Sequence, residues 1–435
     1  MNIKINRILY LFGIQKIFGI SIIIACFIKF NIVLFTYNNY TATKLFFPIY
    51  LLILIGITIR KFNRKLFANL HLWFLLLVCI GFLFPFGYLG NPYDWKIYRQ
   101  WSLSLISYIS IYYGVFYLTK TQKKILFFAA FAFCFISLVY VILQAYLNIS
   151  YTSGHMRTPF SGDRPYGILD DPDHSSGLLL IALFYCIGLA FYHRKFLLLL
   201  PMIFGILFGL QKFNSYGALF GLIAGGAILI LGIALVFVRQ KNAKRIFIVF
   251  LSIWLSIFAF MVLFYWFYSF DYLRIQALFS EKASSISQRL KLIDWGMAIF
   301  FDNPIFGVGT ANDFNPEVHK LYSSQTMGVV NNLHVHTSIV SAFATTGVWG
   351  GTPLVLLITS AIYRFSYLFF NQINRRKKYF IVAMFSLFIA IQVLSCSLQM
   401  LYSISYWFTL LLPFLLDFTL PNSESTPQGK KVEGT

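Results

Sequence analysis

The sequence predicts an all-α fold, a polytopic transmembrane helical bundle of about 12 spans that carries one large, partly helical loop. Three observations predict it. Of 435 residues, 59% are hydrophobic and only 11% are charged, against about 25% charged in ordinary soluble domains. Apolar runs recur along the whole chain, at the length of about 20 residues needed to cross about 30 Å of hydrocarbon. The basic residues fall in short tracts between those runs.

The expected spans are 14–35, 44–59, 66–86, 102–119, 125–147, 175–192, 196–211, 216–238, 246–269, 338–363, 379–396 and 400–420. The basic tracts are Arg60-Lys61 with Arg64-Lys65, Lys120 with Lys123-Lys124, Arg194-Lys195, Arg239 with Lys241 and Lys244-Arg245, and Arg375-Arg376-Lys377-Lys378. Each lies an even number of spans from the next, so the positive-inside rule puts all of them, and both termini, in the cytoplasm. The net charge of +21 therefore reports membrane orientation and excludes a nucleic-acid reading. The five cysteines (Cys26, Cys79, Cys134, Cys186, Cys396) all sit in apolar runs, which excludes a disulfide framework or a zinc site. The first run follows Lys4 and Arg7 without a small-x-small cleavage site and reads as a retained helix. No Walker or dinucleotide motif is present, and no internal repeat of the kind that builds inverted transporter halves.

The chain thus divides into nine spans over 1–269 with a smaller external loop at 148–174, a large external loop at 270–337, three spans over 338–420 and a polar, disordered cytoplasmic tail at 421–435. Nearly all acidic residues fall in the external segments, the two loops above all. In the large loop, Ser287 to Phe301 places Leu290, Ile293, Trp295, Ala298 and Ile299 near helical spacing, which predicts an amphipathic helix at the membrane surface. Asp302-Asn303-Pro304 stops it. Gly307-Val308-Gly309 permits a tight turn or a close backbone approach.

Several side chains there can carry chemistry. His334 and His336 can ligate a metal, cap the start of the tenth span, or serve as a general base toward a sugar hydroxyl. Arg289 is either a snorkelling cation or a diphosphate contact, for which its planar fork suits the oxygens. Arg157 and Arg164 either pair with Asp163, Asp170, Asp171 and Asp173 or hold phosphate. A divalent-metal site at Asp170-Asp171-x-Asp173 is disfavoured, because Pro172 interrupts it and no glycine follows. Tyr37, Trp95, Trp101 and Tyr406 read as interfacial anchors, and Trp95 and Trp101, with Tyr98, are alternatively platforms for a sugar.

Arg289, Trp295, Asp302-Asn-Pro-Ile-Phe-Gly307-Val-Gly309, His336 and Gly347-Val-Trp-Gly350 together resemble the bacterial O-antigen ligase and O-antigen polymerase superfamily. Arg164-Pro-Tyr-Gly167 with Asp171-Pro-Asp-His174 is similar to the family's other external loop, so the resemblance spans about 164–351. It implies a GT-C-like, metal-independent, inverting glycosyltransferase of the bacterial inner membrane, with no cofactor and a periplasmic site. The implied donor is a glycan on undecaprenyl diphosphate. The acceptor is lipid A–core for a ligase, or a second lipid-linked glycan for a polymerase; the ligase is favoured. Membrane lipids are the remaining partners, and nucleic acid is not one.

By the resemblance, His336 is the catalytic base and Arg289 the diphosphate-holding arginine, while Arg164, Arg157, Lys212 and His334 are substrate-binding candidates. Gly347 and Gly350 are small positions for close helix packing. Two departures stand out. Thr337 follows the histidine where the family often has Asn, and Asn214-Ser215-Tyr216 occupies the place of a Ser-Arg or Thr-Arg pair. Lys212 is one helical turn away and can supply that charge as a point cation. The competing reading is a lipid-linked oligosaccharide transporter, for which His71, Lys29 and Asp417 are the main ionisable residues within spans.

Overall fold

The computed structural model describes residues 70–83, 120–147, 160–161, 164–165, 172–213, 215–238, 291–310, 337–398 and 403–416, with a few single positions between them. The expected spans at 14–35, 44–59, 102–119 and 246–269 lie outside the described residues, as does the tail at 421–435.

Among the described residues the structure is helical apart from one minimal strand pair. The elements are α1 (Leu70–Leu83), α2 (Lys120–Leu147), β1 (Phe160–Ser161), β2 (Arg164–Pro165), α3 (Pro172–His193), α4 (Phe196–Phe213) and α5 (Tyr216–Val238). A helix at 291–302, α6, follows, then α7 (Ser338–Asn371), α8 (Arg375–Ser397) and α9 (Ile404–Leu415). By length and composition, α3, α5, α7 and α8 can each cross a membrane. The strands pair antiparallel, Phe160 with Pro165 and Ser161 with Arg164.

Local chemistry sets several boundaries. Pro172 opens α3, where a missing N–H costs nothing. Arg194 ends it at φ 58°, a left-handed position usually given to glycine and worth about 1 kcal/mol of strain in any other residue. Ser215 caps α5 by accepting from the Ala218 N–H at 3.4 Å. Asn374 caps α8 by accepting from the Arg376 N–H at 3.0 Å.

Helix α8 is the hub, packed against α3, α5, α7 and α9. A glycine stripe lets α5 approach it: a Cβ at Gly221 would stand 2.5 Å from the Ala390 carbonyl oxygen, and one at Gly225 2.7 Å from that of Ser386. Small residues four apart permit such backbone contact in membranes, where there is no hydrophobic drive between helices. The core centres on α3, whose Leu178, Leu179, Leu180 and Ile181 are fully buried. Phe131 of α2 stacks on Tyr185, ring centroids 3.5 Å apart, with Phe127 and Phe380 edge-on or tilted around them.

Helices α3 and α8 run antiparallel. Gly177 abuts Leu394 and Met400, while Gly188 abuts Phe380 and Ala383. One rim of the bundle therefore collects the starts of α3, α5, α7 and α9 with the end of α8. The opposite rim collects Arg194 and the start of α8.

The boundaries shift from expectation in several places, the eleventh span beginning at Arg375 rather than 379. The tenth span is not one straight helix over 338–363: α7 extends to Asn371 and is broken at Gly347 (φ 60°, ψ −156°). The twelfth begins at Ile404 rather than 400, and residues 417–420 lie outside the described residues. The fifth begins at Lys120, with the basic tract inside the helix.

Candidate functional site

Helix α6 ends where the sequence requires. Asn303 N–H donates to the Ile299 and Phe300 carbonyls at 3.0 and 3.2 Å, and Pro304 cannot continue the ladder. The buried stripe is Leu292, Trp295, Gly296 and Ile299; of the expected Leu290, Ile293, Trp295, Ala298 and Ile299, Trp295 and Ile299 are buried and Ala298 packs against them, while Leu292 takes the place expected of Ile293. Ile293 is only half-buried, and position 290 lies outside the described residues. The reason is the partner. The stripe faces protein: Leu292, Trp295 and Ile299 form a second small core with Val308, Val318, Val335 and Ala344. The apolar face expected to lie on lipid is packed against the chain's own α7.

The turn after α6 is spliced into α7. In a straight helix the N–H groups of Val348 and Trp349 would donate to the carbonyls of Ala344 and Thr345. Here they donate instead to Pro304 O at 2.8 Å and Ile305 O at 3.3 Å. The freed carbonyls of Ala344 and Thr345 accept from Val308 N–H at 3.0 Å and Gly309 N–H at 2.9 Å. Two helical bonds are thus exchanged for four bonds to the loop, and all four freed helical groups are paired. Glycines make the approach possible. A Cβ at Gly347 would overlap the Ile305 carbonyl, and one at Gly307 would lie 2.5 Å from Thr345 C; both have positive φ. The expected close approach at Gly307-Val308-Gly309 is present. Gly347, expected to serve close helix packing, is instead the break that admits the loop. Gly350 has the expected role: a Cβ at Gly81 of α1 would lie 2.8 Å from its Cα.

The loop is pinned further on. Thr310 Oγ1 donates to the Phe82 carbonyl at 3.1 Å, and Asn312 Nδ2 to that of Val308 at 2.9 Å; both residues are buried. Sequence reading missed this pair, since a lone Thr and Asn carry no periodic signal. Tyr98 Oη donates to the neighbouring Leu83 carbonyl, and burial pushes its phenol up, so it stays a donor. Trp95 meets the Tyr98 ring edge-on at 5.5 Å and is half exposed.

The residues flanking position 336 are fixed. Val335 is fully buried, and a Cβ on Gly296 of α6 would come 2.9 Å from its Cγ1. Thr337 Oγ1 donates to the Cys396 carbonyl at 2.8 Å. Ser338 Oγ donates to Leu398 O at 3.1 Å and accepts from Met400 N–H at 2.7 Å. The N-cap of α7 is Thr337 rather than a histidine, and its side chain is turned to α8.

His336, His334, Arg289 and Arg157 themselves lie outside the described residues. Arg164 contributes backbone to β2, which lies against α2 and α4. Lys212 is exposed near the end of α4, its ammonium 5.3 Å from the Phe208 ring centroid. Of the intramembrane candidates, His71 is buried, with Nδ1 hydrogen-bonded to Ser360 Oγ and its ring 4.5 Å from Phe414; Lys29 and Asp417 lie outside the described residues.

None of the curated proteins matches the chain. Residues 213–355 match the family described as O-Antigen ligase. The matched stretch runs from the end of α4 past Gly350 and takes in Arg289, His334, His336 and both halves of the splice, while Arg157, Arg164 and Lys212 precede it. That stretch of the chain, residues 213–355, belongs to the O-antigen ligase and polymerase superfamily.

Proposed function

We infer that the chain is a membrane glycosyltransferase that moves a glycan from undecaprenyl diphosphate to an acceptor hydroxyl, and that it is an O-antigen ligase whose acceptor is lipid A–core. The observation that carries this reading is the packing of α6, the helix just after Arg289, onto Val335, the residue just before His336. The described neighbours of two motif positions that stand 47 apart in sequence thus share one small core within the matched stretch, which supports the reading.

In the proposed reaction the acceptor oxygen attacks the anomeric carbon opposite the diphosphate. His336 takes the hydroxyl proton as the new C–O bond forms. The old C–O bond breaks with its electron pair leaving on the diphosphate, and the anomeric carbon inverts. Arg289, with Arg164 and Lys212, offsets the charge that develops on the leaving group. His334 and Arg157 contact the substrates. No metal takes part, and the site faces the periplasm from the inner membrane, with both termini in the cytoplasm.

A second reading, polymerase, is favoured by Asn214-Ser215-Tyr216 standing where the arginine of a Ser-Arg or Thr-Arg pair is usual. It differs only in the acceptor. Purified protein given lipid-linked donor and lipid A–core should yield a joined glycan, and His336→Ala should cut the rate by about 10²-fold or more. Joining only to a second lipid-linked glycan selects the polymerase. Full activity of His336→Ala, or movement of lipid between leaflets without joining, overturns the reading.

A further inference from the structure

The rim opposite the candidate site carries a second cluster of functional groups. Arg194 and Lys195, in the turn between α3 and α4, and Arg375 and Arg376, in the first turn of α8, are all exposed. The two tracts are 180 residues apart in sequence, yet the end of α3 lies against the start of α8: Phe191, three residues before Arg194, meets the ring of Tyr379, four residues after Arg375, and Gly188 abuts Phe380. Beneath them lie the rings of Phe191 and Phe237, 5.4 and 6.1 Å from that of Tyr379. Beside them Leu197 and Ile373 are 81% and 88% exposed. Basic heads over an aromatic layer, with bare aliphatic side chains beside them in sequence, are the signature of a protein surface at the lipid headgroups.

Three features say that this surface is built for an anion. Arg194 occupies a left-handed position that glycine would fill without strain, so its side chain is kept against a local conformational preference. The first turn of α8 holds four cations and no acid, although cations repel the positive end of a helix dipole. Between residues 174 and 270, and again between 318 and 416, the sequence contains no Asp or Glu. The helices and turns that build this rim therefore bring no carboxylate of their own.

We propose that Arg194, Lys195, Arg375 and Arg376 bind the phosphate of an anionic phospholipid, held between the end of α3 and the start of α8 with its acyl chains along Leu197 and Ile373. The bound phosphate supplies the negative charge that the α8 first turn lacks. Neither Arg nor the lipid takes part in group transfer, so the proposal stands apart from the function inferred above.

The test uses the full chain in nanodiscs of phosphatidylcholine, with and without phosphatidylglycerol, and counts lipid retained by native mass spectrometry. Wild type should retain phosphatidylglycerol over phosphatidylcholine. Removing one arginine should weaken that retention by about fivefold, in Arg194→Gly and in Arg375→Gln alike. Arg194→Gly also relieves the left-handed backbone, so it should fold at least as stably as wild type in pure phosphatidylcholine. Retention of phosphatidylglycerol by both variants at the wild-type level overturns the proposal. So does equal protection of detergent-solubilised protein by soluble glycerol phosphate, which would assign the site to a free phosphate.

Discussion

The Ile305 carbonyl lies where a side chain on Gly347 would begin, and accepts the Trp349 N–H at 3.3 Å. The break in α7 and the turn after α6 are thus one structural unit.

Substituting alanine at this position tests that unity. Gly347→Ala meets both a backbone clash and a positive φ, and should cost about 3 kcal/mol or more. Gly226→Ala is the control: a Cβ there has nothing within 4 Å, and helix propensity alone should stabilise by about 0.5–1 kcal/mol. Melting midpoints of the two variants in one detergent should move in opposite directions. Equal shifts would show that α7 does not need the loop.

Thr337 links the start of α7 to the Cys396 carbonyl. Thr337→Val removes that bond at a cost of about 1 kcal/mol, while Thr337→Ser keeps it. If position 336 must be held steady for proton transfer, Val should slow glycan joining by about tenfold and Ser by less than about threefold. Equal rates in the two would remove Thr337 from the positioning of its neighbour.

The cations proposed around the diphosphate are not equivalent. Arg289→Lys keeps the charge but loses the fork, and should lower kcat by about 10–100-fold. Lys212→Arg should retain activity, because it restores the guanidinium usual near this point, and Lys212→Gln should lose about tenfold. Steady-state transfer with one donor and acceptor separates these outcomes. An inactive Lys212→Arg beside a fully active Lys212→Gln would exclude that side chain from the site.

His71 separates the enzyme from a transporter. Its bond to Ser360 and its contact with Phe414 are those of a packed residue, so His71→Gln should cost about 1–2 kcal/mol and leave glycan joining within about twofold. Loss of lipid movement with no loss of folded protein would instead make His71 part of a translocation path.

Helix positions were legible in the sequence wherever apolar length decides them, as at α3, α5 and α8. The pair of motifs Gly307-x-Gly309 and Gly347-x-x-Gly350 was legible as two sites of close approach. That each is the other's partner was not, because hydrogen-bond exchange between segments forty residues apart leaves no periodic trace. The same limit explains the misplaced stripe on α6. Periodicity allowed Ile293 or Leu292 to face inward, and only the location of Val335 and Ala344 chooses between them. The glycine stripe on α5 also escaped notice, since small residues in an apolar run change neither its length nor its hydropathy.

The splice has a consequence for how the protein is made. The broken turn of α7 has two donors and two acceptors whose partners lie in a segment synthesised earlier. Left alone in a dry environment, each unmet amide group would cost several kcal/mol. The 304–309 segment can take its seat only once Trp349 has been made; until then α7 can close that turn with its own helical bonds, and both halves then settle together. A nascent chain halted before that point holds a loop with no seat, a natural target for quality-control proteases.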